Sequence, residues 1–466
     1  MREAYKSIKI LPIATVGAII FLLYLSIRRP YLFDTSNLMV LTGLVVAGFI
    51  AAQYETHFWA LLVAAFLWAG SEIPWAGAMY VFRWIILAIA ALLALSYYGL
   101  RPNRIHFNYM HLLALFTVLA AFASGLVSVN PLLTSMKALS LAALFVYGSI
   151  GIRILWGRQP EVFLKRLCLS VEVLTYFTAA CYAVSFEVWG NANSLGVITS
   201  IICWPILLWW FLIAKTRGEY VRSRLALAIC ALLLVMSGSR ASMAAAFFSA
   251  AVLLISARRY RTLLAGCSVA LFALTLAYLT SPERFQSASE SLLYKTGERG
   301  HLLQSRQAPW EKSLASFRDH PWLGFGFGVA ETSVEWHGGF HTPGFQTRER
   351  GSSYLYMLEG TGIAGTAPFL LLALGLILNC SRVFWWLRHT GSIHHPAVPA
   401  ACLIVGALFH AAFEDWLLAV GYYMCVIFWS IALSLRDWMD CPALAIAPNV
   451  PAAPEMPISE RSFALR

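Results

Sequence analysis

The chain has 466 residues, of which 59% are hydrophobic and only 12% charged, and its mean hydropathy is +0.69. Soluble domains carry about 25% charged residues, so repeated apolar runs near the length of a bilayer exclude a soluble protein and predict an all-α, polytopic integral membrane protein. The net charge of +11 falls largely in short loops between the runs; it reports orientation in the bilayer and gives no ground for a nucleic-acid partner.

In chain order, apolar runs lie at 8–27, 38–52, 58–70, 77–98 and 110–128, then at 139–152, 167–184, 195–214, 225–236, 242–257 and 263–279. The first reads as an uncleaved span, because no small-residue cleavage site follows it. A polar strip, 281–354, then breaks the pattern, and runs resume at 363–379, 397–418 and 422–435. Several are short enough to merge or re-enter, so the expectation is about 12–14 transmembrane helices. The organisation read from this is 1–280 as transmembrane helices, 281–354 as one large loop, 355–440 as C-terminal helices and 441–466 as a Pro- and Ala-rich disordered tail.

Basic residues cluster at Arg101 and Arg104; at Arg153, Arg158, Lys165 and Arg166; at Lys215, Arg217, Arg222 and Arg224; at Arg258, Arg259 and Arg261; and at Arg382 and Arg388. Placing these loops in the cytoplasm puts both termini there and the 281–354 loop in the periplasm of a bacterial inner membrane. Arg28 and Arg29 fall on the opposite side: either the first hairpin is misread or the pair is a tolerated exception. None of the nine cysteines lies in the polar strip, and none has metal-ligand or redox spacing. Within the strip, 310–317 predicts an amphipathic helix ending near His320-Pro321. The run Gly324-Phe325-Gly326-Phe327-Gly328 predicts a flexible turn, and it lacks the strand a dinucleotide fingerprint needs.

Candidate functional residues gather at one side. Arg240, in Ser237-Gly238-Ser239-Arg240-Ala241-Ser242, stands between two apolar runs among small neighbours. It is either an interfacial anchor or an anion ligand, since a guanidinium grips phosphate through paired hydrogen bonds. Arg83 lies inside the fourth run, where charge is functional by default, unless it pairs with Glu72. Arg306, Arg348 and Arg350 are each ordinary solvated loop residues alone, but with Arg240 they bracket a site for a diphosphate. His301, His320, His337 and His341 show no metal spacing, and each is a candidate base. Glu359, Glu414 and Asp415 lie in or beside apolar runs; His410 and Glu414, four apart, would share a helix face as a hydrogen-bonded pair.

These segments resemble the O-antigen ligase and O-antigen polymerase superfamily of bacterial membrane glycosyltransferases. Asn193-Ser194-Leu195-Gly196 is similar to its Asn-x-Leu-Gly, and Ser237-Gly238-Ser239-Arg240 to its Ser-x-Ser/Thr-Arg. Arg306, Trp310, Pro321, Gly324 and Gly326 follow its Arg…Trp…Pro-x-x-Gly-x-Gly loop. Ser352, Tyr354, Leu355, Gly362 and Gly365 follow its span-start motif. Two positions depart from the ligase pattern. Gly351 stands where ligases carry a His, and Gly360 stands where an acid is usual, with Glu359 just before it.

The resemblance implies a metal-independent, GT-C-like glycosyltransferase without a cofactor. It would move an oligosaccharide from a polyprenyl diphosphate carrier to an acceptor glycan, at the bilayer and alongside other polysaccharide assembly proteins. The catalytic set it implies is Arg240, Arg306, His341 and Glu359. Arg83, Arg348, Arg350, Ser352, Ser353 and Tyr354 would bind substrate. The missing His favours a polymerase of exopolysaccharide or O-antigen repeat units over a ligase acting on lipid A-core or protein. A lipid-linked glycan flippase is the reading from another class, though no internal repeat supports it.

Overall fold

The computed structural model describes residues 58–100, 105–158, 160–283, 286, 304–329 and 350–440. The runs at 8–27 and 38–52, Arg28 and Arg29, and the tail from 441 lie outside them. The described chain is helical, with no strand among these residues. Its helices are α1 (Phe58–Ala69), α2 (Ala76–Leu100), α3 (Tyr109–Ala123), α4 (Pro131–Val146), α5 (Ile152–Arg158), α6 (Pro160–Ala183), α7 (Ala192–Val197) and α8 (Trp204–Ile213). They continue as α9 (Arg217–Met236), α10 (Arg240–Ser256), α11 (Tyr260–Thr280), α12 (Gln304–Asp319), α13 (Ser353–Thr390), α14 (Ala397–His410), α15 (Tyr423–Ala432) and α16 (Leu435–Met439).

Among the described residues, six stretches are long and apolar enough to cross a membrane: Ala76–Leu100, Tyr109–Leu126, Pro131–Leu155, Ala192–Ile213, Tyr260–Thr280 and Ser353–Thr390. Two of these pass through a π-helical turn, Tyr147–Gly151 after α4 and Ile198–Cys203 between α7 and α8. Shorter apolar helices, α1, α10, α14 and α15, fill the bundle. The most buried are α14 and α15, whose side chains are nearly all enclosed. By contrast α11 has no buried residue, so its apolar surface is left for lipid.

One expectation needs revising. The run 397–418 is not one helix. Helix α14 stops at His410, and 411–422 turns back as an irregular loop before α15. The run expected from 363 does begin there, at a break that divides one long element in two. Helix α13 starts ten residues earlier, at Ser353, and is broken at Gly362, whose φ of 57° and ψ of −156° no helix contains.

That break frees backbone groups among buried residues, where each one left alone costs roughly 2–7 kcal/mol. The segment after α12 supplies the partners. Phe325 and Gly326 donate their amides to the carbonyls of Glu359 and Gly360 at 2.9 and 3.1 Å. Ile363 and Ala364 donate theirs to the carbonyls of Pro321 and Trp322 at 2.8 and 3.1 Å. The approach is so close that a Cβ on Gly362 would lie 2.5 Å from the Trp322 carbonyl carbon. The Gly324–Gly328 run is therefore pinned, not a flexible turn. Its other side is held by Ser124, whose Oγ accepts from the Phe327 amide at 2.9 Å, and by Lys137, whose Nζ donates to the Gly328 carbonyl at 2.6 Å.

Candidate active site

The 411–422 loop organises the site. Its first partner is the start of α13. The Ser353 amide donates to the Ala411 carbonyl at 2.9 Å. The Ser353 hydroxyl donates to the Glu414 carbonyl at 2.7 Å and accepts from the Leu417 amide at 3.0 Å. One turn back, the Tyr354 hydroxyl donates to the Leu408 carbonyl at 3.0 Å. Ser352 is buried at the N-cap position. Ser353 and Tyr354, read from sequence as substrate ligands, thus fasten α13 to α14 and the loop.

Helix α12 lies against this start with one face. Arg306, Trp310 and Ser313 recur at intervals of four and three, so they point the same way. Arg306 donates to the Glu414 carboxylate. Trp310 Nε1 donates to the Gly351 carbonyl at 3.0 Å. Ser313 Oγ donates to Glu359 Oε2 at 2.7 Å. Gly351 has a φ of 64°, and a Cβ there would sit 3.0 Å from Arg306 Cδ. The side chain of Arg306 occupies the space that a larger residue at 351 would need.

Arg350 is enclosed. Its Nε donates to Glu359 Oε2 at 2.9 Å, and Nη2 donates to the Val329 carbonyl. The guanidinium lies 4.6 Å over the Tyr356 ring, and its own amide donates to Asp415 Oδ2 at 2.9 Å. With side-chain exposures of 3% and 0%, Arg350 and Glu359 face each other and Ser313, not open space.

The third part is the turn between α9 and α10. Gly196, in α7, packs so tightly on it that an added Cβ would meet Ser242 Oγ at 2.6 Å and Ser239 Cβ at 2.8 Å. Two motifs far apart in sequence are thereby brought together, and Tyr422 adds a hydroxyl contact to Ser194 at 3.5 Å. Ser239 is the N-cap residue and makes no side-chain cap bond; Arg240 opens α10, partly exposed. Ser242 is bonded to Ser239 at 3.0 Å and to His410 Nε2 at 3.1 Å. The expected His410–Glu414 pair does not form, because the helix ends between them. Glu414 goes to Arg306, while His410 goes to Ser242 and to Trp416 at 3.0 Å.

Arg83 reaches the same loop from α2. It is 4% exposed and donates to the Gly421 carbonyl at 2.5 Å, with its guanidinium 3.8 Å over the Tyr80 ring and flanked by Trp84 and Phe66. Glu72 does not pair with it: that residue lies exposed in the turn before α2, bonded through its amide to the Val188 carbonyl. The structure therefore gathers Arg83, Arg240, Arg306, Arg350, Ser352, Ser353, Tyr354 and Glu359 around 411–422 and its neighbours. His301, His337, His341 and Arg348 lie outside the described residues. Sequence reading missed the loop itself. The signal was present in Glu414-Asp415-Trp416, adjacent carboxylates inside an apolar run, which a continuous span would strand in lipid.

An all-α, multi-pass membrane protein with several arginines assembled at one end of its bundle is the class that this geometry defines. Residues 225–370 match the family model for O-antigen ligase (Wzy_C). The matched stretch runs from α9 into α13 and takes in Arg240, Arg306, Arg350 and Glu359, and it supports the O-antigen ligase and polymerase superfamily that the motifs resemble. It indicates a glycan-transferring membrane enzyme of polysaccharide assembly, with a lipid-linked glycan as substrate. A comparison with curated proteins finds no match.

Proposed function

We propose that the protein transfers an oligosaccharide from a polyprenyl diphosphate carrier to a sugar hydroxyl, joining repeat units of an exopolysaccharide or O-antigen at the inner membrane. The observation carrying this reading is that the O-antigen ligase match coincides with the arginines around 411–422. In the reaction the bond from the anomeric carbon to the diphosphate oxygen breaks, through an oxocarbenium-like transition state. The diphosphate leaves with the electron pair. The acceptor oxygen bonds to the anomeric carbon and gives up its proton.

Arg240 and Arg306 receive the charge that grows on the leaving group. In the structure Arg306 holds the Glu414 carboxylate through Nη2, and a diphosphate oxygen would exchange for it as the acceptor. Arg350 and Glu359 take a different role: enclosed together, they hold Val329 and the start of α13 in place. Glu359 is then an anchor, and His341 is left as the candidate base. Polymerase is favoured over ligase because Gly351 offers no base where ligases carry a His, and because Arg306 crosses that position closely.

Purified protein given one lipid-linked repeat unit in chelator should yield carrier-linked oligomers, and added lipid A-core should change nothing. Product that appears only with the separate acceptor would replace polymerase by ligase. A strict need for a divalent ion would end the arginine-only account of diphosphate departure.

A further inference from the structure

His410 belongs to none of the roles above, yet it lies between the two halves of the site. It is fully buried, at the last residue of α14, with one ring nitrogen on each half. Trp416 Nε1, in the 411–422 loop, is 3.0 Å from Nδ1, and Ser242 Oγ, in the first turn of α10, is 3.1 Å from Nε2. An indole N–H can only donate. Nδ1 must therefore carry the lone pair, which puts the proton on Nε2 and makes that nitrogen the donor to Ser242 Oγ. Ser242 Oγ in turn donates to Ser239 Oγ at 3.0 Å, one residue before Arg240. The chain runs in one direction, from Trp416 through His410 and Ser242 to Ser239, and all four residues are buried.

The two ends of that chain matter. At one end the loop holds Arg306 through Glu414 and the Arg350 amide through Asp415. At the other, Ser239 and Ser242 shape the turn from which Arg240 projects. The Ser239 side chain makes no cap bond to α10, and its amide donates to Ser237 Oγ at 3.2 Å, so among the described residues its own hydroxyl is tied into the turn through Ser242. A buried network with a defined direction can hold one geometry where a greasy contact would allow several.

We propose that His410 is a positioning residue: as a neutral, Nε2-protonated imidazole it sets the Arg240 turn in register with the loop that carries the Arg306 partner. It touches no substrate. The proposal rests on the carrier diphosphate reading only for its effect on ligand binding; the register itself is a property of the protein alone.

The test uses the purified full chain in detergent and three variants. His410→Asn keeps an acceptor near Trp416 but cannot reach Ser242. His410→Gln places an amide donor near the Nε2 position. Ser242→Ala removes the receiving hydroxyl. Hydrogen–deuterium exchange over 237–243 should rise by about tenfold in His410→Asn and Ser242→Ala, and stay near wild type in His410→Gln. Binding of undecaprenyl diphosphate should weaken by about tenfold in the same two variants, the size of one lost buried hydrogen bond, with no further loss when they are combined. Gln should restore affinity to within about threefold.

Equal behaviour of Asn and Gln, or unchanged exchange in His410→Asn, overturns the proposal. So do binding losses that multiply in the double variant. If His410→Asn does not fold, Ser242→Ala and His410→Gln still give opposite expected outcomes. If the wild type binds no undecaprenyl diphosphate, the carrier reading fails, while the exchange measurement still decides the role of His410.

Discussion

Arg350 and Arg240 carry the same charge, but their surroundings assign them different work. Arg350 is committed to Glu359, Val329 and the Tyr356 ring, all within the protein. Removing one member of a buried ion pair leaves the other charge without its partner and costs about 3–5 kcal/mol. Arg350→Ala should therefore lower the melting temperature and the folded yield in detergent, and product should fall with folded protein. Arg240 opens α10 partly exposed, on a turn built from small residues. Arg240→Ala should keep wild-type expression and melting while turnover drops by about 10²–10³, the loss seen when one preorganised donor is taken from a developing anion. Arg240→Lys should recover only part of that, because lysine has the charge without the planar fork. If Arg240→Ala retains full turnover, Arg240 is an interfacial anchor.

At the scale of elements, the broken helix α13 and the segment that mends it form one unit. Neither half satisfies its backbone without the other. Gly362 is the point at which they meet. Its backbone conformation is open essentially to glycine alone, and any side chain would run into Trp322. Gly362→Ala should cost more than the usual glycine substitution, about 3 kcal/mol or above, and should expose 304–329 to protease before the rest of the chain. Protection equal to wild type would mean that the segment stays docked without the break. Much of this was legible in advance. Hydrophobic runs locate helices because lipid leaves the backbone no alternative, and the amphipathic stretch 310–317 announced the C-terminal part of α12, which starts six residues earlier. What sequence could not give was the partner of each irregular stretch. Gly362 read as a motif position, but its meaning depends on Pro321 and Trp322, some forty residues earlier in the chain. The arginines were visible as arginines; that Arg306 would find Glu414 and Arg350 would find Glu359 depended on where α14 stopped. It stops at His410 because Glu414 and Asp415 cannot stay in lipid unpaired, a cost that a count of apolar residues averages away.

For the whole molecule, the direction of each helix relative to the site predicts an orientation. Ser353, Arg240 and Tyr423 start α13, α10 and α15 at the site, while His410 and Met236 end α14 and α9 there. Followed away from the site, these helices reach basic residues. Helix α10 leads to Arg258 and Arg259, α13 to Arg382 and Arg388, and α9 traced backwards to Arg217, Arg222 and Arg224. After α15, Asp437 forms a bidentate pair with Arg153, which lies at the end of the α4–α5 rod remote from the Ser128–Thr134 contact beside Gly326. The far end of the bundle is thus the basic end, the same side on which the sequence places these loops. Short basic loops stay in the cytoplasm, so the site end, with α12 and the 321–329 segment, should face the periplasm. Asp440, just past α16, should lie on the cytoplasmic side with the residues that follow. A reporter that works only outside the cytoplasm should be active when fused near Gly338 and silent when fused after Asp440. Activity in the reverse pattern would invert the molecule. The proposed transfer from a carrier-linked sugar in the periplasm would then lose its support.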